Sequence, residues 1–238
     1  MDVLSSAREK RIGNQKRKFQ TGFGFIWIIT FIFFLFIQKV WGDEILRYSI
    51  VSRGMVLGEM IYEIKTMNEE MIYRSFFITN QDEEPQRDME LIVNRENLTP
   101  VLSRKWFEIS EGEIILETRY SKDKAEVILI SPYGKKEVSL KVTGPIYDME
   151  QIFFLPNLEN TGNFQNRQFS VLVPASGMTW LGRINKVDED EKSIKLKYTL
   201  AGEILYLQYE KSFPYHLLSL EAPNRGYDLI LKEEIPNK

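Results

Sequence analysis

The sequence predicts an all-β fold: a large curved antiparallel meander sheet, an incomplete β-barrel with one short plug helix, preceded by an N-terminal apolar helix. Three observations carry this. From Glu44 onward, apolar and polar residues alternate with period two. Short turns rich in Gly or Pro separate the alternating runs, and helical periodicity appears in one brief segment only. The chain accordingly divides into residues 1–42, a signal peptide or signal anchor, and residues 43–238, the curved sheet domain.

The N-terminal helix rests on residues 23–37, a run without a charge whose body includes Phe23, Ile26, Trp27, Phe31, Phe34 and Ile37. Arg8, Lys10, Arg11, Lys16, Arg17 and Lys18 precede it, opposed only by Asp2 and Glu9. A positive segment ahead of an apolar run is the pattern of a secretory signal. Val40 and Gly42 suit the small-residue positions of a cleavage site between Gly42 and Asp43. The alternative is an uncleaved anchor, since residues 21–37 just reach the lower limit of about 17 residues for a spanning helix. Both leave the basic cluster on the cytoplasmic side and the remainder outside. The membrane is thus a partner, at least in transit.

Each strand follows from its alternation. Leu46, Tyr48 and Ile50 oppose Arg47 and Ser49; Ile114, Leu116, Thr118 and Tyr120 oppose Glu113, Glu117 and Arg119. Val138, Leu140 and Val142 oppose Glu137, Ser139 and Lys141, and Ile194, Leu196, Tyr198 and Leu200 oppose Ser193, Lys195, Lys197 and Thr199. Such runs are strands with one buried and one wetted face. Residues 71–78 and 204–209 are apolar on both faces and call for cover on both sides. Arg53-Gly54, Glu111-Gly112, Lys122-Asp123, Pro132-Tyr133-Gly134 and Ala201-Gly202 join neighbours too closely for anything but hairpins. About a dozen strands result, and a sheet of that size with one apolar face must curl or cover itself. Residues 147–156 read as the plug helix, with Asp148 as cap, Gln151 at the capping-box position and Pro156 as the stop. The Asn-rich stretch 157–167 reads as an exposed loop over the concavity.

Composition excludes several function classes. Residues 1–42 hold seven of the 31 Lys and Arg and two of the 34 Asp and Glu, so the remainder carries a net charge of −8. That balance argues against nucleic acid as a partner. With no cysteine, the domain has no disulfide, no lipid-bearing cysteine, and no thiolate for catalysis or for zinc and iron–sulfur ligation. No cofactor or metal is implied. Asp188, Glu189, Asp190 and Glu191 are consecutive, unlike the alternating ligands of a calcium loop, and read as a solvated turn. His216 is the one histidine, and Ser176 in Pro174-Ala175-Ser176-Gly177 lacks the nucleophile-elbow pattern. His216 is expected to be partly buried with a ring nitrogen bonded to backbone, and no catalytic residue is assigned. Carboxylate-based hydrolysis is the enzymatic alternative, with no pair marked. The expected plug and groove residues are Tyr147, Asp148, Phe153, Phe154, Trp180, Tyr198 and Tyr206.

Five segments together carry a family resemblance. They are Tyr48 to Tyr62 around Gly54 and Gly58, Asn97-Leu98-Thr99-Pro100 before Ser103 and Arg104, and Gly144-Pro145-Ile146-Tyr147-Asp148 through Phe154-Leu155-Pro156. The strand 169–173 and Pro214-Tyr215-His216 complete the set. The chain resembles an uncharacterised family of Gram-negative periplasmic proteins across most of residues 44–233. The resemblance implies a strongly curved antiparallel sheet in the periplasm, similar in shape to envelope lipoprotein carriers that hold acyl chains in a half-open barrel. The expected function is a non-enzymatic envelope domain that binds an apolar or amphiphilic ligand, such as a lipid, or an envelope protein. A scaffold that pairs through a sheet edge is the alternative. The expected location is the periplasm, or the inner membrane if the N-terminal helix stays attached.

Overall fold

The computed structural model describes residues 43–80, 84–151, 167–211 and 215–236, all within a compact unit spanning Gly42–Lys238. The targeting residues Phe23 to Ile37 and Gly42 lie outside the described residues, whereas Asp43 is exposed and its Oδ1 accepts from the Thr66 amide at 3.2 Å. Among the described residues no helix is long and apolar enough to cross a membrane.

The first half is a run of hairpins: β1 (Glu44–Ser52), β2 (Met55–Met67), β3 (Glu70–Thr79), β4 (Gln86–Asn94), β5 (Pro100–Ile109), β6 (Gly112–Tyr120), β7 (Lys124–Ser131) and β8 (Gly134–Lys141). Then come β9 (Ile146–Asp148), β10 (Arg167–Val173), β11 (Met178–Glu189), β12 (Ser193–Leu200), β13 (Glu203–Glu210), β14 (Leu217–Ala222) and β15 (Tyr227–Pro236). All fifteen form one sheet in the order β8-β7-β6-β5-β4-β3-β2-β1-β15-β14-β13-β12-β11-β10-β9. The chain thus lays down one meander, returns through β9, and lays down a second whose last strand pairs with the first, Glu44 opposite Pro236. Every pairing is antiparallel except β9 with β10. The sheet is curved and does not close.

Local chemistry explains the hairpins. Arg53 and Gly54 have φ of 50° and 76°, and Ala201 and Gly202 have φ of 52° and 87°; two successive positive values make the turn whose twist matches paired strands. The alternation holds where it was cleanest: Leu46, Tyr48 and Ile50 are buried on β1, and Ile194, Leu196, Tyr198 and Leu200 on β12. It fails at Val138, which is 51% exposed. Val138 lies on β8, an edge with no strand beyond it among the described residues to complete the cover.

The sheet hides its apolar face by overlapping itself. After β8 the chain passes the β6–β7 turn, where the Val142 amide donates to Asp123 O at 2.8 Å. Ile146 of β9 and Leu172 of β10 then pack with Leu116, Ala125, Val127 and Val142. Parallel register places Ile146 and Asp148 on the same face of this end as Ser170 and Leu172, and Tyr147 on the opposite face with Val171. One edge of the sheet is therefore tucked under the strands near the other.

Only the start of the expected plug helix falls within the described residues: Tyr147 belongs to β9, and Met149, Glu150 and Gln151 form a 3-10 turn, while residues 152–166, with Phe153, Phe154 and most of the expected loop, lie outside the described residues. The capping chemistry is present: Asp148 N donates to Gln151 Oε1 and Glu150 N to Asp148 Oδ1, both at 2.8 Å. What differs is the residue before the cap. Tyr147 pairs with Val171, so its backbone is satisfied by the ladder instead of by a helix.

On the outer face, charged side chains clamp four strands. Arg74 and Arg87 bind Glu90 at 2.8 and 2.9 Å, and Arg104 bridges Glu90 at 3.2 Å and Glu117 at 2.6 Å, where Arg119 also binds at 2.6 Å. Glu90 and Glu117 are buried. Desolvation pushes both carboxyls up, but the arginine hydrogen bonds and charges outweigh it and hold both below the usual range.

Close backbone approach fixes one glycine. A Cβ on Gly58 would stand 2.2 Å from Ile78 O, across the β2–β3 ladder. Gly58→Ala is expected to lower the unfolding free energy by about 2 kcal/mol or more, read from urea denaturation. An unchanged midpoint would show that β2 and β3 can part at no cost.

Candidate functional site

The overlap leaves part of the concavity open. A cavity of about 390 Å³ lies among β2, β4, β5, the 3-10 turn and β12 to β15, within the range of small-molecule sites. Its apolar wall includes Met60, Leu205, Leu220 and Leu229. The strands bring these side chains inward because they share register with the buried rows; Leu205, for example, pairs with Tyr198. The cavity reaches the surface at two turns, where Ala201 and Arg225 are exposed.

The opposite wall is polar. Lys105 Nζ binds Glu150 Oε1 at 2.8 Å. Glu150's charge raises the Lys105 pKa against the effect of burial, with Asp88 and Asp148 adding to it. Asp88 also lines the cavity, and Ser75 Oγ donates to its Oδ2 at 2.9 Å. A bulge places it there: Ser75 pairs with Met89 and Phe76 with Arg87, so Asp88 has no partner in the β3–β4 ladder. Burial pushes the Asp88 carboxyl up and the Glu150 charge adds to that, with Lys105 and Ser75 opposing.

Behind this wall the end of β9 and the 3-10 turn are pinned to β6 and to the turn between β4 and β5. Tyr120 OH donates to Asp148 Oδ2, and Gln151 Nε2 donates to Leu98 O at 2.8 Å. Asp148 is buried on the β6 side, where desolvation first and then Glu150's charge raise its carboxyl to about 6, despite the Tyr120 bond.

The expected groove residues are distributed unequally. Tyr198 lines the cavity. Tyr147 meets Phe169 edge-on at 5.5 Å, and Phe169 stacks on Tyr198 at 6.0 Å, so Tyr147 supports the aromatic wall from behind. Gly182 makes room for this stack, since a Cβ there would meet Val171 Cγ2 at 3.0 Å and Phe169 Cε2 at 3.1 Å. Trp180 does not line the cavity; it is 38% exposed, with Nε1 3.5 Å from Ser176 Oγ. Tyr206 does not line the cavity either. It pairs with Lys197 on the face opposite Tyr198 and Leu205, and Lys195 Nζ stands 5.6 Å from its ring centroid. Asp88, Lys105 and Glu150 are not among the groove residues expected from the sequence. Lys105 was findable, because it shares the parity of Ser103 on a strand whose partner row holds Leu116 and Thr118.

The other candidates have structural employment. His216 is buried with Nε2 3.1 Å from Glu44 Oε2 and Nδ1 3.4 Å from Glu210 Oε2, tying the β13–β14 connection to β1. Ser176 Oγ donates to Val173 O at 2.9 Å within the β10–β11 turn. In the acidic turn, Glu189 binds Lys186 and Lys211 at 2.7 and 2.6 Å, while Asp190 Oδ1 accepts from the Lys192 and Ser193 amides. Among the described residues no group of three His, Cys, Asp or Glu is arranged to hold a metal.

No family model matches the chain, and neither a curated protein nor a solved structure does.

Asp148 gives the pinned end a signed pH dependence. Its folded pKa lies above the ordinary 3.8, so the folded state holds this proton more tightly than the unfolded chain. Its cost to stability is full above about pH 6 and is relieved as pH falls toward 3.8. Urea unfolding of wild type and Asp148→Asn should therefore diverge, with wild type gaining about 1 kcal/mol relative to the variant between neutral pH and pH ~5. A difference that is flat with pH would place the titration elsewhere.

Proposed function

We propose that this chain is an exported envelope protein whose unclosed sheet binds an apolar or amphiphilic envelope component without transforming it. The observation that carries this is the cavity between an apolar wall and a hydrogen-bonding one. Burial of an alkyl chain against Met60, Leu205, Leu220 and Leu229 contributes about 0.8 kcal/mol per CH₂, while the polar wall orients the other end. The hairpin beside the mouth fits the same role. Its tip exposes Met55, Val56 and Leu57, and Ser52 Oγ holds it to the β14–β15 turn through Gly226 O at 2.6 Å. An apolar tip there suits loading from a lipid phase. The periplasmic location rests on the basic-then-apolar N-terminal pattern, and the resemblance to Gram-negative periplasmic proteins belongs to this proposal.

The scaffold reading has one feature in its favour, the free edge β8. Lys135, Lys136 and Lys141 stand along that edge, and lysines on an edge strand oppose pairing with another chain. The cavity therefore has the stronger claim.

Full-length protein purified from an envelope fraction, extracted with organic solvent and examined by mass spectrometry, is expected to release a stoichiometric apolar molecule. Leu220→Trp and Leu205→Trp, which fill the cavity, should each reduce that yield several-fold while the melting temperature shows that the fold survives. A clean extract from the wild-type protein contradicts the proposal.

A further inference from the structure

The cavity's charges do not balance, and the imbalance names a ligand class; this step rests on the reading of the cavity as a ligand site. Among the described residues five charged side chains line it: Asp88, Lys105, Glu150, Glu203 and Arg225. Lys105 is matched by Glu150 at 2.8 Å and Arg225 by Glu203 at 2.8 Å. Asp88 is left over. Its hydrogen bond is to the Ser75 hydroxyl, and among the described residues it has no ion-pair partner. Asp148, buried behind Glu150 and bonded to Tyr120, adds a second carboxyl nearby and no cation.

Among the described residues this half-buried carboxylate accepts one hydrogen bond, from a neutral hydroxyl, and the Lys105 charge that favours its ionised form is shared with Glu150, so it is undersatisfied. An ionised carboxylate accepts several hydrogen bonds, and removal from water raises the value of each. An anionic headgroup would meet Asp88 and Glu150 and gain little from Lys105, whose charge is already matched. A neutral hydroxyl head could donate one hydrogen bond to Asp88 but would leave its charge unmatched. A cation that donates hydrogen bonds supplies what is missing.

We infer that the cavity takes an amphiphile with a cationic, hydrogen-bond-donating head, such as a long-chain amine. The ammonium sits against Asp88, whose carboxylate Ser75 holds in place, and the chain lies along Met60, Leu220 and Leu229. The bulge in β4 is then a binding device, since a regular ladder would not present Asp88 to the cavity.

Titration calorimetry on the full-length chain near neutral pH, with decylamine, decanol and decanoate below their micelle-forming concentrations, tests this. Decylamine is expected to bind at least about tenfold more tightly than decanoate, with decanol between them. Asp88→Asn, a neutral isostere that keeps the Ser75 bond, should weaken decylamine by about tenfold and leave decanol within about twofold. Decanoate binding as tightly as decylamine overturns the inference, as does a folded Asp88→Asn variant with undiminished decylamine affinity; in both cases the cavity stands as a ligand site. If none of the three probes binds the wild-type chain, the ligand reading itself falls. The comparison among probes on the wild-type chain needs no variant to fold.

Discussion

Everything here depends on how a fifteen-stranded sheet with one apolar face keeps that face from water. Twist accumulates across so many strands that the sheet must roll, but β8 and β9 do not join to close it. The molecule instead slides β9 and β10 beneath β5 to β7. Hydrophobic contact supplies the general attraction, through Leu116, Ala125, Val127, Ile146 and Leu172. Position is set by directional bonds: Tyr120 to Asp148, Lys105 to Glu150 and Gln151 to Leu98 O. An apolar overlap can slide by a residue, whereas a part-buried Lys–Glu pair out of register would leave two charges without their partners.

The same arrangement explains why a space remains. The tucked end is three residues wide at β9 and covers the β5–β7 side of the concavity, leaving the stretch bounded by β2 and β12 to β15. The bonds that pin the overlap also furnish the polar wall, since Lys105 and Glu150 serve both. The outer arginine clamp on β3 to β6 backs that wall from the opposite face, holding the backbone that carries Asp88 and Lys105. Structure and candidate site are therefore not separable parts of this molecule.

Much of this was legible in the residues. Period-two alternation located the buried rows of β1, β6 and β12, and Arg53-Gly54 and Ala201-Gly202 marked tight hairpins through the glycine at the second position, which takes a positive φ at no steric cost. The capping chemistry of Asp148 and Gln151 was also readable, whereas the pairing of Tyr147 with Val171 was not, because a tertiary partner leaves no local signal. Parity decided Tyr198 against Tyr206: both are strand tyrosines, but one register step separates the cavity from solvent. Asp88 could not be placed from the sequence. Its orientation comes from a bulge, and a bulge shows only when two strands are aligned.

One consequence concerns time. Strand β1 is bordered by β2 and β15, and Glu44 opposes Pro236 across that seam. As the chain emerges in sequence order, the first strand finds its second neighbour only after fourteen others have appeared. Until then one edge of β1 is bare, and the meander beside it has no second half to cover its apolar face. Such long-range closure is slow, because the loop entropy must be spent before the contact rewards it. The half-made sheet meanwhile offers open edges to other chains. The seam that completes the fold is thus also the interval in which it is most exposed to aggregation.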